Sequence, residues 1–152
     1  MRFLRVLKSR EGQPIDFDGL EAPIEALCRK YRLILFYIFG SYARVEAGKL
    51  SDLDIAILPE TGFPSHDLVN IIAELQDIFH EEAIDLVDLR EAPLPLIHQV
   101  LKRGNCLYAR SLETKIENEV RWEKMYFDTE PLRRERFAAL ERRLRDGTFG
   151  HR

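Results

Sequence analysis

The chain has 152 residues, of which 45% are hydrophobic and 32% charged, as in an ordinary soluble globular domain. The formal net charge of -3 argues against a global attraction to nucleic acid, so we expect no direct nucleic-acid binding. Two cysteines are too few for a disulfide framework, the longest apolar run (Leu33 to Phe39) is too short to span a membrane, and the N-terminal residues lack a signal-peptide core. We therefore expect a cytoplasmic protein.

The first half of the chain predicts one helix and two buried strands. The helix is predicted to begin near Asp18 and is indicated by four apolar residues at helical spacing: Leu20, Ile24, Leu27 and Cys28. Residues 32–39, RLILFYIF, are almost all apolar and rich in branched and aromatic side chains, which is typical of a strand buried on both faces. Residues 52–58, DLDIAIL, predict a second strand.

The next elements alternate between helix and strand. Residues 66–80 follow a helix start signal, Phe-Pro-Ser, and carry apolar side chains every three or four positions, so they predict a helix. Residues 83–89 predict a third strand. A short helix at residues 93–104 is expected to end at Gly104, in the position that glycine often takes after a helix, and residues 105–108 predict a short edge strand.

Two amphipathic helices are predicted in the tail, from Ser111 to Met125 and from Pro131 to Asp146. Together the elements predict an α/β (α+β) fold, with a small mixed sheet flanked by helices and a C-terminal helical tail. We divide the chain into an N-terminal extension without an assigned role (residues 1–17), a central domain (residues 18–109) and C-terminal helices (residues 110–152). Those helices pack either on the central domain or on a partner.

Asp52 and Asp54 lie one residue apart in a predicted buried strand. Side chains alternate along a strand, so both carboxylates point to the same face, about 7 Å apart. Two adjacent anions out of water repel each other, and one of them tends to protonate. A divalent cation removes this conflict, because oxygen ligands suit Mg2+ and its charge keeps both carboxylates ionised. The pair therefore predicts a Mg2+ site.

Gly40 and Ser41 follow the preceding buried strand and could open a short helix. Exposed N–H groups at such a turn bind anions, and glycine lets a phosphate approach the backbone closely. One strand end thus offers a phosphate site and the next offers metal ligands, a layout that fits nucleotidyl transfer with two metal ions. Arg44 either contacts a phosphate or is a solvated helix residue. Ser51 either hydrogen-bonds near the site or is a turn residue at the strand start.

A third carboxylate is expected from a neighbouring strand. Residues 83–89 offer Asp85 and Asp88, which are three positions apart and therefore face opposite sides. At most one of them can join Asp52 and Asp54. Asp85 lies mid-strand between apolar residues, where an unpaired carboxylate is costly, whereas Asp88 lies near the strand end and is easily solvated. We therefore choose Asp85 as the third site residue.

These motifs resemble a known family. Gly40-Ser41, ten intervening residues and then Asp52-Leu53-Asp54 are similar to the signature of the minimal nucleotidyltransferases of the DNA polymerase β superfamily. Residues 84–110 resemble the third-carboxylate strand and following helix of the MntA antitoxins, and residues 126–150 resemble the C-terminal helices of that family. MntA antitoxins belong to HEPN–MNT, or type VII, toxin–antitoxin pairs.

The resemblance implies a function and roles for the site residues. The function would be a Mg2+-dependent protein adenylyltransferase antitoxin, which transfers AMP from ATP to a tyrosine of the cognate HEPN toxin, the ribonuclease HepT. Asp52 and Asp54 would hold Mg2+. Asp85 would complete the metal site and help to deprotonate the incoming hydroxyl. Gly40 and Ser41 would hold the phosphates of the nucleotide.

The sequence departs from the family at two places, and two other functions stay open. Val45 replaces the glycine that often follows the alanine–arginine pair, and residues 1–17 are an addition to the usual start. One alternative is a small-molecule nucleotidyltransferase with an aminoglycoside-like acceptor, for which the chain is short. The other is a binding-only antitoxin, against which the intact Asp52, Asp54 and Asp85 argue.

The tail carries apolar side chains that fit either a core or a partner surface. We expect about half of the aromatic cluster to be core: Trp122, Met125, Tyr126 and Phe127. Phe137, Leu140 and Leu144 form a second stripe at helical spacing. Residues 131–152 carry seven basic residues against three acidic ones. The stripe either packs on the sheet of this protein or helps to present the site to a partner, with the arginines steering an acidic surface.

Overall fold

A computed structural model describes residues 7–8, 14–15, 19–40 and 52–147. Its strands are β1 (Leu7–Lys8), β2 (Pro14–Ile15), β3 (Leu33–Phe39), β4 (Leu53–Pro59), β5 (Ile84–Asp88) and β6 (Asn105–Ala109). Its helices are α1 (Glu21–Lys30), α2 (Asp67–Phe79), α3 (Leu94–Arg103), α4 (Leu112–Asp128) and α5 (Glu130–Arg145). None of these helices is both long and apolar enough to cross a membrane. The predicted fold class is confirmed.

The main sheet has four strands in the order β5-β4-β3-β6. β3 is antiparallel to both of its neighbours, while β4 and β5 are parallel, so the sheet is mixed as predicted. Six of the seven residues in each of β3 and β4 are buried, which confirms that these central strands are covered on both faces. β6 is the predicted short edge strand. β1 and β2 form a separate antiparallel pair within the N-terminal extension.

Helices cover both faces of the sheet. On one face α1 and α2 pack against alternate residues of β3 and β4, with a core of buried side chains: Ile24, Leu27, Cys28, Leu33, Phe36, Ile38, Leu53, Ile55, Ile57, Ile71 and Leu75. On the other face α3 and α4 cover a second core: Leu35, Tyr37, Phe39, Ala56, Leu58, Leu89, Ile97, Val100 and Trp122. Burial of each large apolar side chain contributes roughly 1.5–3 kcal/mol, so both layers stabilise the sheet.

Two helix ends differ in detail from their prediction. α1 begins at Glu21 with Leu20 as its N-cap residue, and the predicted start at Asp18 lies outside the described residues. α3 ends before Gly104 as predicted, but Gly104 has an extended backbone rather than the left-handed one that favours glycine after a helix. Gly104 is needed for space instead, because a Cβ atom there would lie 2.4 Å from the carbonyl oxygen of Val100.

α4 is tied to the sheet by a polar contact and by one aromatic residue. The hydroxyl of Tyr37 in β3 donates to Oε1 of Glu119 in α4 (2.6 Å), and Lys115 pairs with the same carboxylate (3.0 Å). Burial and the Glu119 carboxylate raise the pKa of Tyr37, so its hydroxyl keeps the proton that it donates. Trp122 is buried on the same helix face. This face fixes α4 along β3.

α5 follows α4 after a single residue. The amide nitrogen of Thr129 donates to the carbonyl oxygen of Met125, and that of Arg133 donates to Thr129, each at 3.2 Å. Helical hydrogen bonding therefore continues through the junction. Of the aromatic cluster, Trp122 is buried, Tyr126 is partly buried and Phe127 is exposed, in line with the expectation that about half is core. α5 itself has no buried residue.

Candidate active site

The carboxylates singled out in the sequence meet where β3 ends and where β4 and β5 begin, which we call the Gly40 end of the sheet. Asp54 in β4 pairs in register with Asp85 in β5. Paired residues of neighbouring parallel strands point to the same face, so these two carboxylates lie side by side. Asp52 immediately precedes β4, and its charge reaches the Asp54 carboxyl. The structure therefore brings Asp52, Asp54 and Asp85 together.

The environment of Asp54 differs from that of its two neighbours. Asp54 is half-buried, whereas Asp52 and Asp85 are exposed. Burial raises the pKa of the Asp54 carboxyl above its ordinary value, and the charges of Asp85 and Asp52 raise this pKa further. A cation at this position would reverse the effect, because positive charge favours the ionised carboxylate.

Gly40 brings the backbone against Asp54. It follows β3 directly, one residue after Phe39, which pairs with Asp54. Its φ angle is +74°, in the left-handed region, and a Cβ atom on it would lie only 2.0 Å from Oδ2 of Asp54. Glycine is thus required here both for its backbone conformation and for the close approach of the carboxylate. Ser41, Arg44, Val45 and Ser51 lie outside the described residues.

Asp88 is separated from this group. It pairs with Ile57, three positions further along β4 than Asp54, and thus points to the opposite face. Its carboxylate accepts hydrogen bonds from the guanidinium of Arg90 (2.6 Å) and from the backbone nitrogen of Arg90 (2.9 Å). The reason given for choosing Asp85 was wrong, however. Asp85 is the second residue of β5 and is exposed, rather than held mid-strand among apolar side chains, because β5 begins only at Ile84.

The donor set fits a magnesium ion that is shared with a nucleotide. Within the described ranges, no group of three or more His, Cys, Asp or Glu side chains could hold a metal ion by itself. Mg2+ commonly takes one or two protein carboxylates and completes its shell with water and substrate phosphates. Asp54 and its neighbours supply such carboxylates, and repulsion between them gives a reason for a cation to bind. The residues therefore fit the expected metal.

Asn105 is a polar residue at the Gly40 end that the sequence reasoning missed. It begins β6, pairs with Ile38 and is 7% exposed. Its side-chain nitrogen Nδ2 is buried and has no hydrogen-bond partner in the part of the chain that the structure describes. A buried amide without a partner is unusual and costs stability. The local sequence carries no signal for it, because the burial of this amide depends on residues that are distant in the chain.

A family model described as polymerase beta, nucleotidyltransferase, matches residues 23–113, more than half of the chain. The chain belongs to the polymerase beta nucleotidyltransferase family. This nucleotidyltransferase is similar to the protein adenylyltransferase MntA of Shewanella oneidensis, with 31% identity over 85 residues. The matched segment covers 56% of this chain and 60% of the length of MntA.

Solved structures extend the likeness of this nucleotidyltransferase. A toxin–antitoxin structure with AMP-PNP is 28% identical with a TM-score of 0.67, and covers 80% of this chain and 98% of its own. The structure of a tri-AMPylated Shewanella oneidensis HEPN toxin in complex with MNT antitoxin gives 27% identity and a TM-score of 0.64. The match covers 80% of this chain and 96% of the matched chain. A structure described as a minimal nucleotidyltransferase is 30% identical with a TM-score of 0.50. It covers 60% of this chain and 95% of its own. These comparisons confirm the resemblance to MntA antitoxins.

Proposed function

We propose that this nucleotidyltransferase is a Mg2+-dependent protein adenylyltransferase that transfers AMP from ATP to a tyrosine of a cognate HEPN-family ribonuclease toxin and so neutralises it. The observation that carries the proposal is the register pairing of Asp54 with Asp85 beside Gly40. Relatives that cover most of this chain are an antitoxin solved with AMP-PNP and one solved with an AMPylated HEPN toxin, which supports the same substrate and acceptor. Because ATP is available in the cytoplasm, we propose that the protein acts there.

The proposal gives each site residue a role. Asp52 and Asp54 hold Mg2+, and Gly40 with Ser41 holds the phosphates of ATP. Bound Mg2+ would neutralise charge on the phosphates and keep the Asp54 carboxyl ionised. We assign Arg44 and Ser51 to nucleotide binding on the sequence pattern alone. We assign this chemistry to residues 18–109. Within residues 110–152, α4 packs on the sheet, and we leave α5 for the partner.

Asp85 takes up the proton of the acceptor. The acceptor hydroxyl oxygen forms a bond to the α-phosphorus of ATP, the bond from that phosphorus to the bridging oxygen of the β-phosphate breaks, and pyrophosphate leaves. The hydroxyl proton passes to the Asp85 carboxylate. Asp85 suits this role because it is exposed, so that an incoming side chain can reach it and the proton can continue to water.

The test requires the cognate HEPN toxin, which we expect to be a small all-helical protein encoded by a neighbouring gene. The two proteins are incubated with ATP and Mg2+, and intact-mass spectrometry measures AMP addition to the toxin. We expect addition by the wild type, none by the double variant Asp52→Ala, Asp54→Ala, and full addition by Asp77→Asn, an exposed carboxylate on α2 that serves as the control. ATP binding by calorimetry should weaken at least about tenfold when EDTA removes Mg2+.

Two results would replace the proposal by an alternative. A toxin that is inhibited without any change in mass would favour a binding-only antitoxin. An unmodified toxin together with adenylation of an aminoglycoside would favour a small-molecule nucleotidyltransferase.

A further inference from the structure

α5 exposes an apolar stripe to solvent. None of its 16 residues is buried. Phe137, Leu140 and Leu144 are 64%, 41% and 59% exposed, and they recur at positions i, i+3 and i+7 of the helix. Large apolar side chains grouped on one face of a surface helix mark an interaction site, and this spacing is the one by which a helix enters an apolar groove. Of the two alternatives for this stripe, packing on the sheet of its own chain therefore does not hold.

The course of α4 carries α5 toward the Gly40 end of the sheet. The backbone nitrogen of Arg110, just before α4, donates to the carbonyl oxygen of Ile34 near the start of β3. Nine residues later, Glu119 accepts from Tyr37, two positions before the end of β3. α4 therefore advances along β3 toward Gly40. α5 continues from α4 on that side, because helical hydrogen bonds run through Thr129.

The start of α5 is held by a stack of side chains rather than by a flexible link. The guanidinium of Arg133 lies 3.7 Å above the ring of Tyr126. That ring stacks in turn on His98 of α3, with ring centres 3.9 Å apart and planes 4° apart. Arg133 also donates to the hydroxyl of Thr129 (2.6 Å). The body of the protein thus fixes the first turn of α5, and the exposed stripe is presented in a set direction.

The comparisons associate this tail with chains that bind a toxin. The toxin-bound relatives cover 80% of this chain, whereas the minimal nucleotidyltransferase covers 60%. Residues 1–109 make up less than three quarters of the chain, so the larger share must extend into residues 110–152. Part of the tail is therefore shared with antitoxins solved in complexes, beyond the region needed for a minimal nucleotidyltransferase.

The charge of α5 indicates the chemistry of its partner. The helix carries six arginines and three glutamates. Three of the arginines, Arg142, Arg143 and Arg145, lie in its last turn beside the apolar stripe. An apolar groove with an acidic rim complements such a helix, because the stripe loses water while the rim attracts the arginines.

We propose that α5 is the docking helix for the HEPN toxin, with Phe137, Leu140 and Leu144 in an apolar groove between toxin helices and the arginines on its acidic rim. This inference rests on the proposed function for the identity of the partner. A toxin docked there stands at the Gly40 end of the sheet, where its acceptor tyrosine can reach the site. The short catalytic domain thereby obtains the second wall that the acceptor requires.

The test is the affinity of the full chain for the toxin, measured by calorimetry. The double variant Phe137→Asp, Leu140→Asp should weaken binding about thirtyfold or more, as expected for the loss of interface hot spots. The matched control is Val69→Asp on α2, a side chain that is 71% exposed on the opposite face of the sheet, and it should bind like the wild type. Because both substituted side chains are exposed, thermal unfolding should show the same midpoint for variant and wild type.

Three outcomes separate this inference from the proposed function. Unchanged affinity of the double variant would overturn the docking helix, even if the wild type still transfers AMP. Weakened binding together with a wild type that never transfers AMP would uphold the docking helix and overturn the proposed function. A wild type that is dimeric without toxin, and a double variant that is monomeric, would assign the stripe to a second copy of this chain and overturn the inference.

Discussion

Asp54 and Asp85 are register partners in neighbouring parallel strands, and Gly40 packs its backbone against the first of them. Neighbouring strands lie about 4.8 Å apart, so the two carboxylates repel each other unless a proton or a cation intervenes. The raised pKa of Asp54 reports this repulsion together with its burial. Holding the Asp54 and Asp85 carboxylates next to each other costs stability, and a cation bound with a nucleotide would offset that cost.

The first prediction separates the two carboxylates of β5. Asp85→Asn should lower the rate of AMP transfer about a hundredfold or more, because in the proposed mechanism it removes both a metal-site charge and the proton acceptor. Asp88→Asn should transfer at close to the wild-type rate, since Asp88 points to the other face and pairs with Arg90. Single-turnover rates with the toxin provide the measurement. An inactive Asp88→Asn beside an active Asp85→Asn would show that the strand register is wrong.

The second prediction concerns Gly40. Gly40→Ala should lower the free energy of unfolding by more than Gly62→Ala does, as measured by urea denaturation. Both glycines have positive φ angles, +74° and +85°, and such a backbone costs a residue with a Cβ about 1–3 kcal/mol. Only at Gly40 would the new Cβ also meet the Asp54 carboxylate, whereas the space around Gly62 is open. Equal losses for the two variants would mean that the close approach to Asp54 does not exist in solution.

The third prediction follows from the raised pKa of Asp54. In metal-free buffer the folded chain holds this proton to a higher pH than the unfolded chain, whose carboxyl titrates near its ordinary pKa of 3.8. The contribution of Asp54 to stability is thus fully present below pH 3.8 and is lost as the pH rises through the folded pKa. Asp54→Asn cannot lose a proton at this position. Its free energy of unfolding should therefore rise relative to that of the wild type as the pH increases from 3.8 through the folded pKa of Asp54.

Thermal unfolding of the two proteins at a series of pH values measures the difference. The same series with Asp77→Asn controls for the removal of any exposed carboxylate. A stability difference between wild type and Asp54→Asn that stays constant with pH would contradict the raised pKa.

The fourth prediction concerns Asn105. Asn105→Leu should raise the free energy of unfolding by about 1–2 kcal/mol, because it replaces a buried amide that has no partner among the described residues by an apolar side chain of similar size. Urea denaturation measures the gain. If Asn105→Leu also slows AMP transfer, the amide has a role at the Gly40 end, since it pairs with Ile38 close to Gly40. A loss of stability instead would mean that the amide has a partner in solution.

The fifth prediction concerns the arginines at the end of α5. Replacing Arg142, Arg143 and Arg145 with glutamate should slow association with the toxin about tenfold at low salt, because the charges steer an acidic surface. The variant should also lose much of the salt dependence of association, while ATP binding stays unchanged. Stopped-flow association rates at low and moderate salt decide this. An unchanged association rate would leave these arginines without a role in docking.

The fold could be predicted because its elements are encoded locally. β3 and β4 are apolar along nearly their whole length, and α2 repeats its apolar side chains at helical spacing, so type and order followed from pattern alone. The register of β5 against β4 could not be predicted, because it depends on tertiary pairing. Asp85 was consequently chosen for a burial that it does not have, although it does lie beside Asp54.

The tail shows the second limit of the sequence. An apolar stripe at helical spacing predicts that something covers a helix, but the pattern is the same whether the cover is the chain itself or another protein. The buried amide of Asn105 was missed for a related reason. Its lack of a hydrogen-bond partner depends on neighbours that are distant in sequence, so no local pattern could indicate it.

Trp122 is the single tryptophan of the chain and is buried on the face of α4 that contacts the sheet. Its fluorescence therefore reports on the packing of α4 against the sheet and α3. A toxin bound to α5 alone would leave the emission wavelength unchanged, whereas a toxin that displaced α4 would shift it to the red. The native protein thus contains an optical probe that can distinguish docking from rearrangement without any label.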